Sequence, residues 1–125
     1  MGESVARFGE LEAAIMDRVW AAEDGVLVRE VVDDLNRERE IAYTTVQTVM
    51  EILRRKGWLA RQRDGRAHRY LAAATRDDYL AQLMNEALDQ VPDRTAALVR
   101  FVERMDPTEV EELRRALGEA KDAAR

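Results

Sequence analysis

The chain has 125 residues, of which 46% are apolar and 36% charged, with a net charge of −5 and no cysteine. That length supports one compact unit, or a domain of about 70 residues with a short appendage, and leaves little room for a large cleft between two lobes. The lack of cysteine excludes a disulfide framework and a thiolate metal site, and no stretch approaches the roughly 20 apolar residues that span a bilayer.

Met1 to Arg7 contains Glu3 and is followed by no apolar run, so no export leader is expected and the chain reads as soluble and cytoplasmic. From Gly9 to about Ala22, Leu11, Ile15 and Val19 recur at helical spacing and predict a first helix, closed against the core by Trp20. Glu23-Asp24-Gly25 reads as a turn, and Val26-Leu27-Val28 as a brief extended piece. A second helix is expected from about Arg29 to Glu38, with Val31, Val32 and Leu35 as its apolar stripe.

A third helix is expected from Tyr43 to Lys56, ending at Gly57, a residue suited to the left-handed cap. At about 100° per residue, Val46, Val49, Met50 and Leu53 fall in one arc. The opposite arc holds Thr44, Thr48, Glu51 and Arg55, with Thr45, Gln47 and Ile52 on the shoulders. Short hydroxyls and an amide make this outer face slim, where a merely solvated helix would carry longer, stronger helix formers. Trp58 to Arg63 and Ala67 to Leu71 alternate as strands around an Asp64-Gly65 hairpin signal. Tyr43 and Tyr70 are expected to pack in the core.

Composition shifts after Leu71. Thr75 should cap a fourth helix, Arg76 to about Gln90, which Pro92 ends; a fifth should run from Arg94 to Met105, and a sixth should start at Asp106-Pro107. These three short amphipathic helices cannot bury their stripes alone, so Leu83, Leu88, Leu98, Phe101, Val102, Leu113 and Leu117 are expected to form a homodimer interface. The expected fold class is mainly α: a winged helix-turn-helix DNA-binding domain over residues 1–72 and a C-terminal helical dimerisation segment over 73–125.

The charge is unevenly spread. Residues 1–40 carry −6 and residues 72–125 carry −4, whereas residues 41–71 carry +5. A basic segment on acidic flanks fits an electrostatic footprint for double-stranded DNA, and by charge alone it fits a solvated face equally well. Thr44, Thr45, Gln47 and Thr48 are the expected groove contacts, with Gln suited to adenine and Thr methyls to thymine. Arg54 and Arg55 at the helix end, and Arg63, Arg66 and His68 on the hairpin, are the expected phosphate contacts. Arg54, Arg55 and Lys56 also compensate the helix dipole. The competing reading is a winged-helix interaction module whose basic hairpin binds an acidic protein partner. No enzyme, cofactor or metal is expected: Ser4 is the one serine and His68 the one histidine, and no nucleophile stands in motif spacing with a base.

Leu11-Glu12, Met16 and Val19-Trp20, then Ala42-Tyr43-Thr44-Thr45-Val46 with Thr48, then Leu53 with Lys56-Gly57, and finally Arg66 with Tyr70 form a pattern over nearly the whole chain. In these the chain resembles the BlaI/MecI penicillinase-repressor family of winged-helix transcriptional regulators. The resemblance implies a homodimeric repressor on a palindromic operator, controlling β-lactam-resistance-type genes. It also implies a regulatory protease, since family members are cut between an asparagine and a phenylalanine in the dimerisation segment. The matching bond here is Arg100-Phe101, which keeps the phenylalanine but not the asparagine. The cysteine-rich hook of related copper-responsive repressors has no counterpart in this cysteine-free chain.

Overall fold

The repeating apolar face of the first segment folds as helix α1 (Glu10–Ala21), which buries Ile15, Met16 and Val19. The computed structural model describes residues 7–124, so the segment read above for a leader lies outside the described residues except for Arg7. Strand β1 (Val26–Leu27) runs directly into α2 (Val28–Asn36). Helix α2 starts at Val28 because Glu30 turns back to accept the Leu27 amide at 2.7 Å. It ends at Asn36, short of the expected Glu38, because the Asn36 side chain bridges the turn. Its amide nitrogen donates to the carbonyls of Val32 (2.8 Å) and Ile41 (3.1 Å), and its oxygen accepts from the Ile41 amide at 3.2 Å. That bridge sets the start of α3 (Tyr43–Arg55). Arg18 ties α1 to α2, donating from Nε to Asp34 at 2.5 Å and from Nη1 to the Ala14 carbonyl at 2.7 Å.

Helix α3 closes in a Schellman arrangement: the Gly57 amide (φ 91°) bonds the Arg54 carbonyl and the Trp58 amide bonds the Leu53 carbonyl, both at 3.0 Å. Trp58 is therefore spent on the cap, and strand β2 (Leu59–Asp64) begins one residue later than its alternation suggested. Strand β3 (Ala67–Ala72) lies between β1 and β2 in an antiparallel sheet. The ladder still pairs Asp64 with Ala67. The hairpin loop is thus Gly65-Arg66, not the expected Asp64-Gly65. Gly65 has φ 64° and Arg66, like every other described non-glycine residue, has a negative φ, which is the geometry of a type II′ turn with glycine first. Arg66 consequently occupies the tip of the wing.

Thr75 and Asp78 form the expected reciprocal cap at the start of α4 (Arg76–Leu88). The Asp78 amide donates to Thr75 Oγ1 at 3.0 Å and the Thr75 amide to Asp78 Oδ2 at 2.9 Å. Tyr79 in the first turns of α4 enters the core. Its ring stacks on Phe8 with centroids 4.0 Å apart, its hydroxyl accepts the Phe8 amide at 2.8 Å, and Trp58 meets both rings edge-on at 5.4 Å. Trp20 adjoins them and donates to the Ala74 carbonyl at 2.9 Å. The first compact unit runs to Met84, past the boundary at 72 drawn from composition, and Tyr79 and Leu83 of α4 both pack against its core.

The second unit, from Asn85 onward, contains α5 (Arg94–Glu103) and α6 (Pro107–Ala123). Asp93 and Asp106 cap them, accepting the amides of Ala96 (3.0 Å) and Thr108 (2.8 Å). Among the described residues of this unit none is buried. No helix of the described chain is long and apolar enough to cross a membrane.

Removing a buried aromatic side chain costs on the order of 3–5 kcal/mol. A chain ending after residue 72 should therefore unfold at clearly lower urea concentration than one ending after Met84, by about 3 kcal/mol or more. Tryptophan fluorescence, through Trp20 and Trp58, reads the transition; equal midpoints for the two fragments would refute the placement of Tyr79 in the core.

Candidate nucleic-acid interface

Helix α3 packs against α1, α2 and β2, with Val46, Met50 and Leu53 fully buried. That fixes its rotation, and the opposite face presents Thr44, Thr45, Gln47, Thr48 and Arg55, all exposed. The Thr48 hydroxyl donates to the Thr44 carbonyl at 2.8 Å, so its proton is committed and its methyl is the group left for an apolar contact. Ala42 at the N-cap offers no side-chain acceptor to the first-turn amides, which leaves the positive end of the helix dipole open. Tyr43 was expected in the core, but it is 45% exposed. Its i, i+3, i+7 spacing to Val46 and Met50 gives it inward phase, yet it sits in the first turn.

The hairpin stands beside this face, and two concavities separate them. Gln47, Thr48, Ile52, Arg55 and His68 line one, while Arg29, Tyr43, Gln47, Arg66 and His68 line the other. Gln47, His68 and Tyr70 border both, and Glu51 and Arg61 also line the first.

The seven cations of the basic segment fall into two groups. Arg54 and Arg61 pair with Glu51, Lys56 with Glu12 at 3.2 Å, and Arg69 with Asp64 at 2.9 Å and Glu30 at 3.9 Å. Arg55, Arg63 and Arg66 enter no ion pair among the described residues; Arg63 only donates to the Gly65 carbonyl at 3.2 Å. The uncompensated positive charge thus lies at the end of α3 and at the tip of the wing. His68 lies on β3 opposite Arg63.

Of the residues singled out from sequence, Thr44, Thr45, Gln47, Thr48, Arg55, Arg63, Arg66 and His68 are all exposed on this face. Arg54 is drawn aside by Glu51 and is not a free cation. Arg29 joins the surface without having been anticipated, and Ile52, 38% exposed, lies on the shoulder where helical phase placed it. In the helical segment, Leu83, Leu88 and Val102 are half-buried, while Leu98, Phe101, Leu113 and Leu117 are exposed. Arg100 and Phe101 lie inside α5, so the bond between them is helical. No group of three or more metal-ligating side chains occurs among the described residues.

Glu51 is the residue whose role periodicity did not show. Its Oε1 accepts from Arg54 Nε at 2.9 Å and from Arg54 Nη2; its Oε2 accepts from Tyr70 Oη at 3.0 Å and Arg61 Nη1 at 3.3 Å. The Arg54 hydrogen bonds, then that of Tyr70 and the charges of Arg54 and Arg61, outweigh desolvation and hold the carboxyl at about 2, down from 4.5. Burial and the bond to Glu51 push the Tyr70 hydroxyl up. A depressed carboxylate contributes stability that is complete above its unfolded value and is lost as pH falls through its folded one. Glu51→Gln should therefore be less stable than the parent at pH 7, and the gap should shrink from about pH 4.5 and close near pH 2. Urea titrations across that range check it, and a gap that is constant with pH contradicts the pairing.

A model of the penicillinase repressor family matches residues 8–119. The transcriptional regulator BlaI of Mycobacterium tuberculosis is 46% identical over 118 residues, covering 92% of this chain and 86% of the relative. Among solved structures, the DNA-binding domain of the repressor BlaI superposes with a TM-score of 0.53 at 24% identity, over 63% of this chain and 94% of that one. A mutant of S. aureus MepR bound to an oligodeoxyribonucleotide gives 0.50 at 16% identity, over 94% of this chain and 80% of that one. At these identities the structural likenesses establish the fold, a winged helix-turn-helix followed by a helical segment. With the family pattern extending from Phe8 to Glu119 and the M. tuberculosis regulator nearly half identical, the chain belongs to the penicillinase repressor family.

Proposed function

We propose that the chain is a homodimeric, sequence-specific repressor that places α3 in the major groove of a palindromic operator and sets its wing, residues 61–69, on the backbone or minor groove. The observation that carries this reading is the convergence of Arg55, Arg63 and Arg66, none of them ion-paired, around the slim face of Thr44, Thr45, Gln47 and Thr48. A solvated helix has no need for cations gathered on two separate elements beside a polar face stripped of long side chains. Gln47 is suited to a bidentate contact with adenine and Thr48 to a thymine methyl. Arg55, Arg63, Arg66 and His68 supply phosphate contacts, which position the protein without reading sequence. Arg54 is left out of the contact set because Glu51 already holds it.

Homodimerisation is supported by the second unit, where Leu98, Val99, Phe101 and Leu117 are 42%, 50%, 55% and 61% exposed and no described residue is buried. About half of each such side chain stays in water and forgoes on the order of 1 kcal/mol of burial, which a second copy of the segment recovers. Control of β-lactam-resistance genes and relief of repression by a protease are the finer parts of the proposal and rest on family membership. Cleavage at Arg100-Phe101 requires local unwinding of α5 before the bond can enter a protease.

Three free cations per subunit imply a log–log salt slope of about −5 for the dimer on a fragment of the protein's own promoter. Arg66→Ala should weaken binding to all sequences alike and flatten the slope by about 2 for the dimer, whereas Gln47→Ala should change base preference at one position of each half-site. A slope near zero for the parent protein would overturn the DNA reading in favour of an acidic protein partner. Separately, Leu113→Asp with Leu117→Asp should convert a dimer into a monomer in sedimentation velocity and leave the tryptophan emission of the winged domain unchanged. A monomeric parent protein at micromolar concentration counts against the dimer.

A further inference from the structure

We infer that Glu51 is an internal counter-ion that keeps Arg54 and Arg61 off the phosphate backbone and thereby restrains sequence-independent DNA binding. The inference rests on the DNA-binding reading above and adds a residue that sets specificity without touching a base. Glu51 lies on the face of α3 turned toward the wing, within a segment of net charge +5, where an acid opposes DNA binding unless its charge is consumed. Its charge is consumed by donors from three elements: Arg54 on α3, Arg61 on β2 and Tyr70 on β3. Tyr70 is only 3% exposed, so the ring that carries the hydroxyl bonded to Oε2 is fixed by the core, and the carboxylate is tied to a rigid partner. A carboxylate serving only the helix would need no more than its i+3 partner.

The arrangement discriminates between the arginines. For Arg54 or Arg61 to reach a phosphate it must leave Glu51, which exposes part of a carboxylate to the DNA, so such a contact gains little. Among the described residues Arg55, Arg63 and Arg66 surrender no acid, and Arg63 gives up only its bond to the neutral Gly65 carbonyl. On the operator, base contacts fix the register and the free cations meet their phosphates. On random sequence the protein can shift to gather the phosphates it can reach, and Glu51 removes two arginines per subunit from that competition. Asp64 does the same to Arg69 on the wing, with Nε at 3.1 Å and Nη2 at 2.9 Å.

The test is fluorescence anisotropy of the full chain on a short random-sequence duplex and on a duplex from its own promoter, titrated with salt. For the parent protein a slope near zero on both duplexes would defeat the DNA-binding reading itself. Given measurable binding, Glu51→Gln should raise affinity for the random duplex about tenfold at low salt and steepen the slope by about 2–4 for the dimer, since each released cation contributes about 0.9. The promoter-to-random affinity ratio should fall. An unchanged slope and ratio in folded Glu51→Gln would reject the inference. The second arm does not depend on that variant folding: Arg54→Gln and Arg61→Gln should each leave the parent slope within about 0.5, against the flattening of about 2 expected of Arg66→Ala. Flattening by Arg54→Gln as large as that of Arg66→Ala would show that Arg54 already binds phosphate and would overturn the assignment.

Discussion

Burial of Val46, Met50 and Leu53 is the constraint from which the rest of the molecule follows. These three side chains point into the space enclosed by α1, α2 and β2, and a helix held by such a stripe has one allowed rotation about its axis. Turning α3 by a single residue, about 100°, would carry Gln47 toward the core and bring Leu53 to the surface. Burying an unsatisfied amide and exposing a leucine would each cost a few kcal/mol. The core therefore determines what the outer face displays, and does so to within a fraction of a turn. Asn36 complements this by fixing where α3 begins, and the Schellman cap at Gly57 fixes where it ends and sends the chain into the wing.

A second layer of organisation lies in the ion pairs. Summed over residues 41–71 the charge is +5, yet the structure does not present it as a uniform basic surface. Four cations are matched to acids, two of which, Glu12 and Glu30, come from outside the segment. Surface pairs of this kind contribute little to stability, a median of about 0–1 kcal/mol, so their effect lies in what they leave over. The remainder is three arginines on the C-terminal turn of α3 and the wing tip. Net charge alone would have distributed the footprint over all seven.

The periodic features were legible in the sequence because their causes are local. The stripe of α3, the Thr75 cap, the Asp106-Pro107 start of α6 and the glycine that ends α3 are settled within four or five residues of chain. The misjudged features depend on residues far apart. Tyr79 looked like part of the helical appendage because its partner is Phe8, 71 residues earlier. Glu51 looked like an ordinary surface acid because two of its partners, Arg61 and Tyr70, are 10 and 19 residues away and meet it only once the sheet has formed. Tyr43 shows the opposite failing. Its spacing to Val46 and Met50 gives it inward phase, but phase does not say how far along the axis the core extends. At the hairpin, Asp64-Gly65 was a sound turn signal one residue out of register, and the ladder that corrects it is itself a long-range fact.

The second unit brings the two halves of the proposal together. With three free cations, a single winged domain makes too few phosphate contacts for tight binding at physiological salt, where each contact is weakened by counterion competition. Joining two such domains turns the second encounter into an intramolecular one, so affinity depends on the product of two weak contacts multiplied by an effective concentration. On this reading the exposed leucines of α5 and α6 matter to operator occupancy as much as the arginines do, although they lie on a different compact unit. On the proposed function, the position of the bond between Arg100 and Phe101 adds to what family membership suggests for it. Everything beyond it, including Leu113 and Leu117, would be severed from the winged domain by one cut, while all of Thr44 to His68 would remain intact. Such a cut would abolish repression by removing the effective concentration, leaving each recognition surface unaltered and too weak to act alone.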